Sequence, residues 1–391
     1  MDRLEAVTRD GRASGGVTGD NRRDVMNEDD AETVAALLDP LLRALELLTF
    51  VSRHLHPPDF EELMASIGTP DEELRSALAR QSEWHEGLSG IRTALDAACD
   101  AALGAFAGLR ETLQQGGDIR SVYRALRLVP KGMEALYPLA GLLPPVNRFF
   151  LDPSLRSDTE VQARFLAAPA RDKNTGVMQF GERERGGFWL YVPENYLADR
   201  AWPLVMALHG GSGTGRLFLW SWLRDARSRG AILVAPTSVG STWALMGPDV
   251  DTPNLTRILE LIRSRWNVDA SRTLLTGMSD GGTFTYVSGL EAGSPFTHLA
   301  PVSAAFHPML GQMADADRMR GLPIHITHGA LDWMFPVELA RQAQRVLLRT
   351  GAAVTYREVE DLSHTYPREL NGAVLDWLEA TPARQAAPPR E

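Results

Sequence analysis

Cysteine is nearly missing from this chain: Cys99 is the single one in 391 residues. No internal disulfide can form, and a lone thiol in an alanine-rich stretch reads as buried packing. Such usage suits a reducing compartment. Surplus positive charge is missing too: 40 Lys and Arg face 50 Asp and Glu, for a net charge of −10. A nucleic-acid partner would need clustered basic residues against its phosphates, so none is expected. Apolar runs are each broken by Pro, Arg or Asp well short of a membrane span. Residues 1–30 mix charges without an apolar centre, which argues against a signal peptide. The expectation is a cytoplasmic protein with no membrane span.

Two halves with different patterning are present. From Asp29 to about Leu143 the spacing is helical, with Val34, Leu37, Leu38, Leu41, Leu42, Leu45 and Leu48 recurring three and four apart. Asp39-Pro40 either kinks this helix or restarts it. Thr69, Pro70 and Glu72 form a capping-box start. A stripe from Leu74 through Leu95, Ala102 and Phe106 to Leu113 then continues, interrupted by Gly87, Gly90, Gly104 and Gly108. One long helix or two packed ones would fit it. A stripe this apolar must be buried, so the helical domain is expected to cover the mouth of a site or to join protomers as a homo-oligomer. The pair His54 and His56 lacks a third ligand and reads as a solvated helix end, so no metal is expected.

After Leu143 short apolar runs alternate with helical stretches: Gly187–Val192, Leu204–Leu208, Ala231–Ala235, Thr273–Thr276, Leu299–Val302, Ile324–Thr327 and Val354–Glu358. Alternation of this kind predicts a mainly parallel sheet with helices on both faces, the segment before Pro193 pairing antiparallel. The expected organisation is a disordered tail at 1–30, a helical domain at 31–150, an α/β domain at 151–380 and a second tail at 381–391.

Gly277-Met278-Ser279-Asp280-Gly281 stands where a strand gives way to a helix. In a nucleophile elbow the serine adopts a strained backbone that lifts its hydroxyl above the sheet, and bulk two residues to either side would collide with strand and helix. The pentapeptide alone is weak; its strand-turn-helix position strengthens it. His209-Gly210-Gly211-Ser212-Gly213 ends an earlier strand, where free backbone N–H groups can face a tetrahedral oxyanion. The rival reading, a phosphate loop, lacks its Gly-Lys-Ser/Thr ending. Asp280, the residue after the serine, would give the second N–H donor. Asp332 follows one strand and His364 the last, and the order Ser279, Asp332, His364 suits a catalytic triad. His307 is the reserve base, and Glu338 and Asp361 are reserve acids. Trp243 and Trp333 are candidates to line the substrate pocket, with packing as the alternative.

The segments "HGGSG", "GMSDGG", "HGALDWMFPV" and "SHTYP" resemble the α/β-hydrolase superfamily, and most closely its polyhydroxybutyrate depolymerase-like and phospholipase/carboxylesterase-like esterase branch. The likeness covers Val177 to Glu379, about half the chain, and leaves the helical half without a family. It implies an α/β-hydrolase fold preceded by an all-α domain, and a serine esterase acting on a small-molecule ester. Ser279 would be nucleophile, Asp332 acid, His364 base, and Gly211 with Asp280 the oxyanion donors. No metal or organic cofactor is implied. Amide or peptide cleavage and acyl transfer use the same triad, and a non-catalytic binding protein is the distant alternative.

Overall fold

The computed structural model describes residues 28–81, 84–116, 118–166, 174–181 and 185–382. Apart from 28–30, which already belong to the first helix, and 381–382, the expected tails lie outside those residues. The chain divides into two compact units between Phe150 and Leu151.

The N-terminal unit is helical: α1 (Glu28–His54), α2 (Phe60–Ser66), α3 (Pro70–Ala79), α4 (Ser89–Gln114), α5 (Ile119–Leu126), α6 (Leu128–Leu136) and α7 (Pro144–Phe149). Helix α1 runs through Pro40 without restarting. The stripe that allowed one helix or two resolves into α3 and α4. At Thr69 the expected capping box is not made by the side chain; instead the Thr69 carbonyl accepts the Glu72 N–H at 3.0 Å. Two glycines of α4 have a packing reason: a Cβ on Gly108 would lie 2.8 Å from that of Ala125, and one on Gly104 would lie 3.1 Å from a Leu128 methyl. Leu95, Ala98, Cys99, Ala102, Phe106 and Leu109 are all fully buried, and α4 packs on α1, α5 and α6. These central residues of the stripe are therefore covered within their own unit. Burial, helped by Asp96 and Asp100, pushes the Cys99 thiol up to about 12, which makes it an inert packing group.

The C-terminal unit opens with α8 (Thr159–Leu166) and then builds one sheet of eight strands. In chain order these elements are β1 (Gly176–Phe180), β2 (Phe188–Val192), β3 (Trp202–Leu208), α9 (Gly215–Arg229), β4 (Ile232–Pro236), α10 (Asp251–Arg265), β5 (Val268–Met278), α11 (Asp280–Gly289) and β6 (His298–Val302). They continue with α12 (Pro308–Met313), α13 (Ala316–Met319), β7 (Pro323–Gly329), α14 (Val337–Arg349), β8 (Ala353–Val359) and α15 (Asn371–Ala380). The strand order is β1-β2-β4-β3-β5-β6-β7-β8. Only the β1–β2 and β2–β4 pairs are antiparallel; every later pair is parallel. Strands β3, β4, β6 and β7 are buried along their whole length, as a sheet covered on both faces requires. The parallel strands share one C-terminal edge, and their loops gather there.

Asp225, 7% exposed on α9, is held by Asn371 Nδ2–H at 3.3 Å. Burial, and then the nearby charge of Asp152, pushes its carboxyl up to about 7. The folded protein thus keeps a proton that the unfolded chain releases near pH 4. The stability that Asp225 contributes is therefore present in full below about pH 4 and is lost as pH rises to about 7. Asp225→Asn should remove this slope and raise stability at pH 8 by on the order of 2 kcal/mol. Urea unfolding across that range would check it; a variant with the wild-type slope would contradict it.

Candidate active site

Ser279 sits between β5 and α11 with φ 56° and ψ −120°, a conformation that side chains rarely tolerate. Its N–H donates to the Val302 carbonyl of the neighbouring strand at 3.0 Å, which pins the turn. Why glycine flanks it is explicit in the distances. A Cβ on Gly277 would lie 2.5 Å from the Gly281 backbone, and one on Gly281 would lie 2.5 Å from the carbonyls of Leu208 and His209. Strand β3, strand β5 and helix α11 meet with no room for a methyl group.

The turn after β7 places Asp332, and the turn after β8 places His364. Both converge on the serine. His364 Nε2 lies 3.0 Å from Ser279 Oγ, and its Nδ1 lies 2.9 and 3.0 Å from the two Asp332 oxygens. Asp332 Oδ1 also accepts the N–H groups of Met334 at 3.0 Å and Phe335 at 2.8 Å. Burial disfavours its ionised form, but the His364 hydrogen bond and charge, with the Phe335 N–H, outweigh that and hold its carboxyl below the ordinary value. A carboxylate can only accept, so Nδ1 carries the imidazole hydrogen. Nε2 is then the acceptor for the Ser279 hydroxyl. Ser279, Asp332 and His364 are 8%, 6% and 4% exposed. A serine that can pass its proton to an imidazole oriented by a buried carboxylate is chemically a nucleophile in waiting.

Two of the three reserve residues, His307 and Glu338, are occupied elsewhere. His307 caps α12, its Nδ1 accepting the Met309 N–H at 3.2 Å. Glu338 pairs with Arg341 at 3.3 Å.

His209-Gly210-Gly211 follows β3 and faces the elbow. His209 is locked as a neutral ring. Its Nδ1–H donates to the Gly210 carbonyl at 2.7 Å, and its Nε2 accepts the Ser238 N–H at 3.1 Å. Burial drives its pKa down to about 4, against the Gly210 hydrogen bond. Among the described residues, neither the Gly211 nor the Asp280 N–H has a protein acceptor. Two free N–H donors beside a serine hydroxyl form a site able to receive an oxyanion.

The two tryptophans part company. Trp333 is 43% exposed beside the triad, its ring centre 6.4 Å from that of His364. Trp243 corrects the sequence expectation. It is 2% exposed, stacks on Phe284 at 5.5 Å and donates Nε1–H to the His209 carbonyl at 2.7 Å. An indole with its N–H satisfied inside the core packs beneath the glycine turn and lines no pocket. Phe335, absent from the sequence reading, meets the His364 ring edge-on at 5.2 Å. Its only sequence signal was closeness to Asp332. Among the described residues no three His, Cys, Asp or Glu groups are placed to hold a metal, and no helix is long and apolar enough to cross a membrane.

A phospholipase/carboxylesterase family profile matches residues 252–381, which span the elbow, Asp332 and His364. A bifunctional acetylxylan esterase/xylanase of Neocallimastix patriciarum is 32% identical over 166 residues, covering 39% of this chain and 22% of its own length. Acetylxylan esterase A of Emericella nidulans is 28% identical over 138 residues, covering 31% of this chain and 45% of its own. The chain thus spans less than half the length of either curated relative. Among solved structures, a thermostable esterase superposes with a TM-score of 0.45 at 22% identity, over 53% of this chain and 63% of that one. The sheet order and the serine elbow give the C-terminal unit an α/β-hydrolase fold, and its residues 252–381 are similar to the phospholipase/carboxylesterase family.

Proposed function

We propose that the chain hydrolyses a carboxylic ester through an acyl-enzyme on Ser279, with residues 151–380 as the catalytic domain. The observation that carries this reading is the 3.0 Å contact from Ser279 Oγ to an imidazole whose far nitrogen is held by Asp332. Ser279 Oγ attacks the ester carbonyl while its proton moves to His364 Nε2. Asp332 keeps the imidazole in the accepting tautomer and stabilises its charged form. The N–H groups of Gly211 and Asp280 take the negative charge of the tetrahedral intermediate. As the intermediate collapses, the C–O bond to the alcohol breaks and His364 returns the proton to the departing oxygen. Water, deprotonated by His364, then attacks the acyl-enzyme and releases the acid. Because the alcohol leaves from the His364 side, Trp333 is assigned to the alcohol portion of the substrate.

Both curated relatives are named as acetylxylan esterases, which favours a short acyl group on a carbohydrate alcohol. A panel of p-nitrophenyl acetate, butyrate and octanoate, the matching acetanilide, and acetylated xylan would test this. The expected result is fastest turnover of the acetate, acetate release from the xylan, and an anilide much slower than its ester. An anilide cleaved faster than the ester would move the assignment to amide hydrolysis.

A further inference from the structure

Next to the elbow lies a carboxylate that the proposed reaction does not use. The Asp280 side chain reaches back over the glycine turn, its Oδ2 standing 2.8 Å from where a Cβ on Gly211 would be. Its backbone N–H is one of the two free donors beside Ser279, and Gly211 carries the other. A carboxylate that packs against Gly211 and belongs to the same residue as the other donor is an internal competitor, since a turn of its side chain would let it take the N–H groups that a substrate oxyanion needs. What holds it off is Thr242, whose Oγ–H donates to Asp280 Oδ2 at 2.6 Å.

Thr242 is itself fixed. The segment between β4 and α10 is tied down by Asp251, which accepts the N–H groups of Val239 and Ala244, each at 2.8 Å. Neighbouring residues of the same segment clasp the glycine turn: Ser238 N–H on His209 Nε2 at 3.1 Å, and Trp243 Nε1–H on the His209 carbonyl at 2.7 Å. The Thr242 hydroxyl therefore approaches Asp280 from a rigid arm rather than from a loose loop.

Resting on the ester-hydrolase reading above, we infer that Thr242 is a positioning residue for the oxyanion hole: its hydroxyl tethers the Asp280 carboxylate and keeps both backbone donors open to substrate. The tether acts on the state in which charge develops on the carbonyl oxygen, so it is read in kcat more than in KM.

Thr242→Val keeps the shape of the side chain and removes the donor. It should lower kcat for p-nitrophenyl acetate by about tenfold or more, short of the roughly 100- to 1,000-fold of deleting a donor, with KM within about twofold. Thr242→Ser, which restores the hydroxyl, should recover most of the lost rate. Adding Asp280→Ala to Thr242→Val removes the competitor while leaving the backbone N–H, and should raise kcat well above that of the single variant. A loss caused only by disturbed packing would not respond to that second change. A Thr242→Val enzyme with wild-type kcat, or a loss that Asp280→Ala leaves unrelieved, would overturn the inference while ester hydrolysis stands. A wild-type protein that turns over no ester and takes no fluorophosphonate at Ser279 would overturn both.

Discussion

Ser279→Ala is expected to lower kcat/KM for p-nitrophenyl acetate by about a million-fold, because loss of a triad nucleophile leaves only binding and the oxyanion donors to act. The fold should survive the change. Ser279 is strained at φ 56° whatever its side chain, and its pinning bond to Val302 is made by the backbone. Thermal unfolding should therefore place the variant close to the wild type, so that lost activity cannot be blamed on lost structure. A folded variant that kept a substantial part of the wild-type rate would remove Ser279 from the mechanism.

Asp332→Asn is the second large effect, expected at about 10,000-fold in kcat. The carboxylate holds His364 through Nδ1–H bonds of 2.9 and 3.0 Å. An amide can donate to Nδ1 instead and move the imidazole hydrogen to Nε2, where it faces the serine hydroxyl and blocks proton transfer. The bonds from Met334 and Phe335 can still be accepted by the amide oxygen, so the turn itself is expected to hold. Steady-state kinetics with an unfolding control would measure this. A loss of less than about tenfold would mean that the imidazole is oriented by something other than Asp332.

The α/β half is legible in sequence because its signals are local. Glycines at 277 and 281 report a steric crossing that nothing but glycine fits, and the buried strands read as short apolar runs. Strand β1 carries no apolar run because it lies at the sheet edge, paired with β2, and three of its five residues are not buried. Strand β5 begins at Val268, earlier than expected, because the polar stretch before Thr273 carries no hydrophobic signal. Trp243 was misread since sequence gives its place after a strand but not the direction of its ring. Thr242 was invisible for the same reason: its partner Asp280 is 38 residues away, and nothing local marks the bond. In the helical half, the stripe of α4 showed that a face must be buried but not by what, and its partners α1, α5 and α6 belong to its own unit.

On the proposed mechanism Ser279 is a nucleophile activated by His364. Intact-protein and peptide mass spectrometry after treatment with a fluorophosphonate tests it most directly, because the probe reports serine reactivity without presuming a substrate. One adduct per chain is expected, on the peptide carrying Ser279, with labelling lost in Ser279→Ala and strongly slowed in His364→Ala. An unlabelled wild-type protein, or an adduct on a different serine that persists in Ser279→Ala, would contradict it.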